Sequence, residues 1–382
     1  MSVTFAEGFK AGSVAAGLKS SGKLDLTVVQ NTGPLFLASA VFTSNRAKAN
    51  PVLWSMEAIK DGSARAVVLN SGGANCYTGP QGFQATHKSA EIVANQLEVS
   101  AQDVLVCSTG IIGVQLDTSK LFPGIELACN KLSPEGGQDS ALAIMTTDSV
   151  HKVSTAQSKS GWKIGAMAKG AGMLAPALAT MLVVITTDAE ISDLEDHLRA
   201  ATSVSFDRLD SDGCTSTNDT VVLMSSGASG VAADPEEFQN LLVDVCIDLA
   251  RQLMKDAEGA SHEIAIEVYD AASESDAVEV GRSIARNNLF KAAIYGNDPN
   301  WGRILAAIGT TSAEFDPYDI DVDINGVRVS SKGGPDEDRS KVNLKGREVQ
   351  IRIGLHSGTA SATILTNDLT KEYVIENSEY SS

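Results

Sequence analysis

Short runs of apolar residues predict buried strands in the first two thirds of the chain. Each run is four to seven residues long and rich in β-branched side chains, which favour strands over helices. The predicted strands are Leu24–Val29, Ala66–Leu69, Val104–Cys107, Met181–Thr187 and Val221–Met224. Segments with helical periodicity alternate with them, at Phe83–Leu97, Leu194–Ser205 and Glu236–Glu258.

The helix predicted over Glu236–Glu258 has the clearest pattern. Its apolar positions recur with the i, i+3, i+4 spacing of a helix with one buried face. These positions are Phe238, Leu241, Leu242, Val245, Cys246, Leu249 and Leu253. Asp234 can cap the start and Gly259 can end the helix.

Glu258 would then lie at a helix C-terminus. The helix dipole disfavours a carboxylate there by roughly 0.3–1 kcal/mol. A functional role would explain the placement, and a solvated glutamate is the alternative.

After about residue 265 the pattern of predicted elements changes to short strands separated by Gly, Asn and Asp turns. These strands are Glu263–Tyr269, Ile320–Ile324, Val349–Gly354 and Thr359–Leu365. We therefore expect a larger domain over residues 1–280 and a smaller α+β domain over residues 281–382.

The net charge of the chain limits which kinds of molecule it could bind. With 48 acidic and 30 basic residues, the chain carries a net charge of -18. That field repels phosphate backbones and anionic membranes, so it argues against nucleic-acid and membrane binding. An anionic substrate would need a local Lys, Arg or helix N-terminus.

Cysteine usage indicates a reducing compartment. The five cysteines form no CxxC pair, which predicts reduced thiols in a cytoplasmic protein without a disulfide framework or metal site. The N-terminus lacks the apolar core of a signal peptide. The uncharged residues 170–187 include two Gly, a Pro and three Thr, so they predict a turn and a buried strand rather than a membrane helix.

Candidate chemistry lies in clusters rich in glycine and hydroxyl groups. The sequence has no phosphate-binding loop, HExxH motif or GxSxG elbow, and its five histidines are isolated. Thr109-Gly110 follows a predicted strand and could offer a hydroxyl and an N–H to an oxyanion, or could be a simple turn. Ser216–Thr220 and Asn300–Arg303 are interpreted as turns.

Thr180 opens a predicted strand and has no nearby histidine to activate it. One solution is cleavage of the peptide bond before the threonine, which frees its own α-amine as the base. With a pKa of about 7.7–8.0, such an amine is partly unprotonated at neutral pH. The alternative is a threonine that only opens a buried strand.

The segment around Thr180 resembles the signature of the ornithine acetyltransferase family, the ArgJ proteins of arginine biosynthesis. The signature at Lys169–Met181 reads KGAGMLAPALATM, and the resemblance covers essentially the whole chain in order. The other matching segments are Asp25-Leu26, Val41–Asn45, Asn70–Gly72, Ser108–Gly110, Met145–Asp148, Asp212-Gly213, Ser216–Asp219, Asp256–Ala260, Asp298–Arg303, Tyr373-Val374 and Asn377.

The resemblance implies an α+β fold with an αββα-layered N-terminal-nucleophile domain and a smaller C-terminal domain. It implies self-cleavage between Ala179 and Thr180 into an α chain, 1–179, and a β chain, 180–382, that assemble as an α2β2 heterotetramer. Thr180 would pass acetyl from N2-acetyl-L-ornithine to L-glutamate without a cofactor, and use of acetyl-CoA as a second donor stays open.

The resemblance also assigns the site. Thr109 and Gly110 would form the oxyanion hole. The substrate-binding residues would be Thr146 or Thr147, Lys169, Thr180, Glu258, Asn377 and Ser382. Two other function classes remain, namely an N-terminal-nucleophile aminopeptidase or amidohydrolase that uses the same Thr180, and a non-enzymatic acidic scaffold.

Overall fold

The computed structural model describes residues 2–173 and 181–379. The strands are β1 (Phe9–Val14), β2 (Leu26–Asn31), β3 (Leu37–Phe42), β4 (Ala66–Asn70), β5 (Val104–Ser108), β6 (Lys152–Gln157), β7 (Lys163–Lys169), β8 (Leu182–Thr187), β9 (Thr220–Ser225), β10 (Glu263–Ala271), β11 (Asp321–Ile324), β12 (Val327–Ser331), β13 (Gly334–Pro335), β14 (Glu348–Gly354) and β15 (Ala360–Asn367). The α-helices are α1 (Asn50–Ala58), α2 (Gly79–Leu97), α3 (Thr118–Asn130), α4 (Gly137–Ala143), α5 (Leu194–Ser203), α6 (Pro235–Lys255), α7 (Glu274–Ala285), α8 (Asn288–Tyr295), α9 (Trp301–Ile308) and α10 (Lys371–Glu379).

Two sheets stack face to face in the larger part of the molecule. The first has the order β1-β2-β4-β5, and the second has the order β3-β9-β8-β7-β6. Parallel pairs join β4 to β5 and β8 to β9, whereas the other neighbours are antiparallel. All five strands predicted in this region form, with ends that move by at most two residues.

Alternation of side chains along the strands explains the layers. In β8, Leu182 and Val184 point into the core between the two sheets. Val183 and Ile185 point the other way, into the core under α5 and α6. In β4, Val67 faces the second sheet, whereas Val68 packs in the core that contains residues of α2 and α3. Because strand side chains alternate with period two, each sheet is buried on both faces and the order is helix–sheet–sheet–helix. The expected αββα layering is confirmed.

A third sheet lies in the last part of the chain. Its six strands have the order β13-β12-β11-β14-β10-β15, and α7, α8 and α9 share one buried core with it. The expected start of the smaller domain, residue 281, lies inside α7, whereas the sheet that α7 packs against includes β10, which begins at Glu263.

Two local expectations were wrong. Helix α6 begins at Pro235, with the Asp234 carboxylate accepting the N–H groups of Glu236 and Glu237, but it ends at Lys255. Glu258 therefore lies in a turn three residues beyond the helix, and the dipole argument does not apply to it. Trp301 begins helix α9 rather than lying in a turn.

Within the described ranges, no helix combines the length and apolar character needed to cross a membrane. Residues 182–187, from the uncharged run considered above, form the buried strand β8 as predicted.

Candidate active site

The predicted oxyanion loop lies at the carboxyl end of β5. The Thr109 N–H donates to the Asn70 carbonyl at 3.0 Å, and the Gly73 N–H donates to the Thr109 carbonyl at 3.0 Å. Gly110 has a φ of +129°, and a Cβ there would come within 2.9 Å of the Gly73 backbone. Only glycine fits such a conformation at this close approach.

Asn218 fixes this loop from the far side and was not predicted as a site residue. Its buried side-chain amide donates to the Ser108 carbonyl at 2.8 Å and to the Ala74 carbonyl at 2.6 Å. The sequence predicts a turn for the segment around it. Its sequence signals are the polar pair Asn218-Asp219 directly before a strand, and the place of Ser216–Asp219 among the segments that carry the family resemblance.

Lys169 ends β7 and is almost completely buried. Its Nζ donates to the Thr146 hydroxyl at 2.9 Å. Burial lowers the pKa of Lys169, while the negative charge of Asp148 is the first effect that acts to raise it. Because that charge favours the ammonium form, Lys169 is a suitable partner for a carboxylate.

A buried ionic network supports the loops around Lys169. The Lys152 ammonium lies 2.6 Å from Asp148 and 2.6 Å from Asp256, and its side chain is fully buried. Asp148 also accepts the N–H groups of Thr146, which contacts Lys169, and of Gly170, which follows it in the chain. The network therefore links the Thr146 loop to the Asp256 turn that precedes Glu258.

We expect Lys152→Met to lower the free energy of unfolding by about 3–5 kcal/mol, because it leaves two buried carboxylates without their cation. Denaturant unfolding measures this loss. The matched control is Lys163→Met, whose partner Glu7 is 64% exposed, and it should cost about 1 kcal/mol or less. Equal effects of the two substitutions would contradict the buried network.

Glu258 lies beside two of the other expected residues. Its carboxylate interacts with the side chains of Thr147 and Asn377. Its N–H donates to the Ala171 carbonyl at 2.9 Å, and a Cβ on Gly172 would lie 2.5 Å from the carboxylate. The Lys169 signature loop therefore packs directly on Glu258.

The pKa of Glu258 is raised, first by burial and then by nearby acids, while the polar side chains of Thr147 and Asn377 oppose the rise. Asp212 and Glu376 are the acids that contribute. A half-buried acidic group of this kind can attract a cation.

The segment that carries the expected nucleophile is fixed at its far end. Ala179, Thr180 and Ser382 lie outside the described residues. Met181, the residue after Thr180, donates its N–H to Asp219 Oδ1 at 3.1 Å and accepts at its carbonyl from the Thr220 N–H at 3.2 Å. Asp219 adjoins Asn218, so one dipeptide contacts both the oxyanion loop and the residue after Thr180.

The expected site residues fall into connected groups. Thr146 contacts Lys169, and Thr147 and Asn377 interact with Glu258, so each threonine lies beside another expected site residue. Thr109 and Gly110 connect to Met181 through Asn218 and Asp219. Across residues 2–173 and 181–379, no group of His, Cys, Asp and Glu side chains could hold a metal ion.

Comparison with known proteins identifies close relatives. The profile of the ArgJ family matches residues 10–382. The arginine biosynthesis bifunctional protein ArgJ of Streptomyces avermitilis is 60% identical, and the alignment covers 100% of both chains. The protein of the same name from Thermobifida fusca is 58% identical, also over 100% of both chains.

Among solved structures, ornithine acetyltransferase complexed with ornithine from Mycobacterium tuberculosis is similar over part of the chain. It is 47% identical, and the match covers 47% of this chain and 96% of that chain with a TM-score of 0.46.

Proposed function

The chain belongs to the ArgJ family, and from that premise we propose that it transfers acetyl from N2-acetyl-L-ornithine to L-glutamate through an ester on Thr180. The relatives named above are arginine biosynthesis proteins, and the activity serves that synthesis. The observation that carries the proposal is the pair Asn218-Asp219, which joins the Thr109 loop to the residue after Thr180.

The nucleophile comes from self-cleavage between Ala179 and Thr180. The freed α-amine of Thr180 takes the proton from its own hydroxyl as Oγ attacks the acetyl carbonyl. The Thr109 hydroxyl and the Gly110 N–H stabilise the tetrahedral oxyanion. The amide C–N bond then breaks, the proton passes to the α-nitrogen of ornithine, and the acetyl group stays on Oγ.

The second half of the cycle reverses these steps with a different amine. The α-amine of glutamate attacks the Thr180 ester, N-acetylglutamate leaves, and Oγ regains its proton. One amide is exchanged for another, so this cycle needs no acetyl-CoA and no cofactor. The two steps share one site, which predicts ping-pong kinetics.

Two charged side chains, Lys169 and Glu258, would each bind a different group of the substrate. Both amino acids carry an α-carboxylate, and Lys169 is the buried cation that would bind it. Only ornithine has a cationic side chain, and Glu258 would attract that group. The second interpretation of Glu258 is that it orders Thr147 and Asn377, the side chains that it contacts.

We expect Glu258→Gln to raise the KM for N2-acetylornithine about tenfold, which corresponds to about 1.4 kcal/mol. The KM for glutamate should change less, because its side chain is not cationic. Half-reaction kinetics with each substrate measure the two values. The exposed residue Glu314 provides the control substitution Glu314→Gln, which should change neither KM by more than about twofold.

The same variant tests the pH dependence. Because the pKa of Glu258 is raised, the carboxylate gains its proton and loses its charge at a higher pH than an ordinary glutamate, whose pKa is about 4.3. The wild-type KM for N2-acetylornithine should therefore rise as the pH falls toward that range. In Glu258→Gln this rise should be absent. A rise of the same size in both proteins would indicate that Glu258 only orders its neighbours.

The reaction is tested by incubating the protein with N2-acetylornithine, with and without glutamate. The transferase makes N-acetylglutamate only when glutamate is present. An N-terminal-nucleophile hydrolase releases acetate in both cases, and an acidic scaffold does neither. Acetyl-CoA as the sole donor tests the second activity that the word bifunctional in the relatives' names suggests.

The proposal includes the assembly and the compartment. Intact mass and native mass should show α chains of residues 1–179 and β chains of residues 180–382 that stay together as an α2β2 heterotetramer. The reaction would take place in the cytoplasm, in keeping with cysteines that show no pairing pattern.

A further inference from the structure

Asp219 is a buried carboxyl group that the mechanism above does not use. It directly precedes β9, and its side chain has no exposed surface. Oδ1 accepts the N–H of Met181 at 3.1 Å, on the strand that follows Thr180. Asp219 therefore contacts the residue that directly follows the expected nucleophile along the chain.

The second oxygen, Oδ2, is buried and has no hydrogen-bond partner within the part of the chain that the structure describes. Burying an ionised carboxylate costs free energy when one of its oxygens accepts no hydrogen bond. A protonated carboxyl group avoids the cost of burying a charge. Burial raises the pKa of Asp219 well above its usual value. The hydrogen bond from the Met181 N–H, the side chains of Ser216 and Thr43 and the charge on Lys169 oppose this rise without cancelling it.

We propose that Asp219 is a positioning residue that acts as a neutral carboxylic acid: it holds the Met181 amide and adds no negative charge beside the amine of Thr180. The inference rests on the proposed function, since it concerns the same nucleophile. It assigns Asp219 a role in catalysis through Met181 rather than through contact with substrate.

Neutrality matters because of the base that the mechanism requires. An ionised carboxylate near the α-amine would stabilise the ammonium form and raise its pKa above the usual 7.7–8.0 or so. Each unit of such a rise would reduce the unprotonated, basic fraction about tenfold at neutral pH. A neutral acid provides the hydrogen-bond acceptor for Met181 without this loss.

The position also connects two parts of the site. Asn218 holds the Ser108 carbonyl directly before Thr109, and Asp219 holds the Met181 N–H directly after Thr180. One dipeptide thus contacts both the residue before Thr109 and the residue after Thr180. Rate is sensitive to such placement, with a misplacement of about 1 Å costing about 100-fold.

The test compares Asp219→Asn with Asp219→Ala. Asparagine is nearly isosteric and neutral, with one oxygen to accept from Met181 and an NH2 group to replace the acid O–H. Alanine removes the acceptor altogether. Each protein is assayed for the rate of self-cleavage, and kcat and KM are measured against pH and normalised to the cleaved fraction.

We expect Asp219→Ala to lose about 10- to 100-fold in cleavage rate and kcat, with a KM for glutamate within about twofold of wild type. Asp219→Asn should restore both rates to within about threefold of wild type, and the acid limb of its kcat profile should not move. In the infrared difference between wild type and Asp219→Asn at neutral pH, the wild type should show the carbonyl stretch of a protonated acid.

Asp188→Asn is the matched control. Asp188 is also buried, and it accepts the N–H groups of Glu7 at 2.8 Å and Lys163 at 2.6 Å, away from the site. It should lower the stability but leave kcat within about twofold, which separates general loss of a buried acid from a role at the nucleophile.

Several results would overturn the inference. These are a folded Asp219→Asn that neither cleaves nor turns over, an Asp219→Asn that fails to fold, an acid limb that shifts to lower pH in Asp219→Asn, a missing acid carbonyl stretch, or an Asp219→Ala with wild-type rates. Failure of the proposed function itself is distinguishable, because it appears in the wild-type control as cleaved protein that makes no N-acetylglutamate.

Discussion

Thr180→Ala should yield a single uncleaved chain of 382 residues with no measurable acetyl transfer. Alanine has no hydroxyl to attack the preceding peptide bond, so the α-amine is never released. Without both the nucleophile and its base, the rate should fall by about 10⁴-fold or more. A denaturing gel and an assay for N-acetylglutamate measure the two effects.

Thr180→Ser is the matched control, since it keeps the hydroxyl and removes only a methyl group. It should cleave, with turnover within about tenfold to 100-fold of wild type, because the nucleophile is retained but held less firmly. Two fragments from Thr180→Ala would refute self-cleavage at this residue. An acetyl adduct trapped on another side chain of the wild type would refute the covalent step.

The expected effect is large because the proposed reaction takes both its nucleophile and its base from Thr180. The histidine nearest to Glu258 in sequence, His262, is already engaged, with Nδ1 2.8 Å from Asp368 and Nε2 2.9 Å from the Leu344 carbonyl. Its ring therefore faces two acceptors and serves the start of β10. The proposed reaction therefore takes its base from the nucleophile itself.

The sequence predicted the elements of the larger domain well but not their packing. Strands such as β8 and β9 are buried on both faces, so they appear as continuous apolar runs. Periodicity cannot tell which sheet packs against which, because an apolar side chain can be buried against any apolar surface and does not specify its partner. The αββα order came from the family resemblance, and the alternation of Val183 and Val184 between two cores accounts for it physically.

The sequence indicated those site residues whose role shows in the residues next to them, and it missed those whose partners are distant in the sequence. Thr109-Gly110 stands at a strand end and needs a positive φ, which glycine marks in the sequence. Lys152 gave no signal, since its two carboxylate partners are 4 and 104 residues away. Asn218 was missed for the same reason, because the Ser108 carbonyl that it binds is 110 residues distant.

Glu258 shows that a residue can be selected for a wrong reason. We singled it out as a carboxylate at a helix end, but α6 stops at Lys255. The backbone N–H of Asp256 closes the helix, and its carboxylate binds Lys152 and the N–H of Ser149. This ionic contact fixes the chain at residue 256 in the turn that leads Glu258 to the Lys169 loop.

The second large effect is expected for Thr109→Val, which keeps the shape of a side chain that is 2% exposed and removes only its hydroxyl. Loss of one donor to an oxyanion typically costs about 10²–10³ in kcat. The KM for either substrate should change little, because the donor is needed only when the carbonyl oxygen becomes charged. Steady-state kinetics, normalised to the cleaved fraction on a gel, measure this split.

Thr109→Ser is the control that keeps the hydroxyl, and it should recover kcat to within about tenfold of wild type. Self-cleavage also passes through a tetrahedral oxyanion, so Thr109→Val should slow it if the same donor serves both reactions. Slow transfer with normal cleavage would assign Thr109 to the acetyl group alone. A raised KM with an unchanged kcat would instead make Thr109 a residue that binds substrate before the reaction, and the Gly110 N–H would then have to stabilise the oxyanion without it.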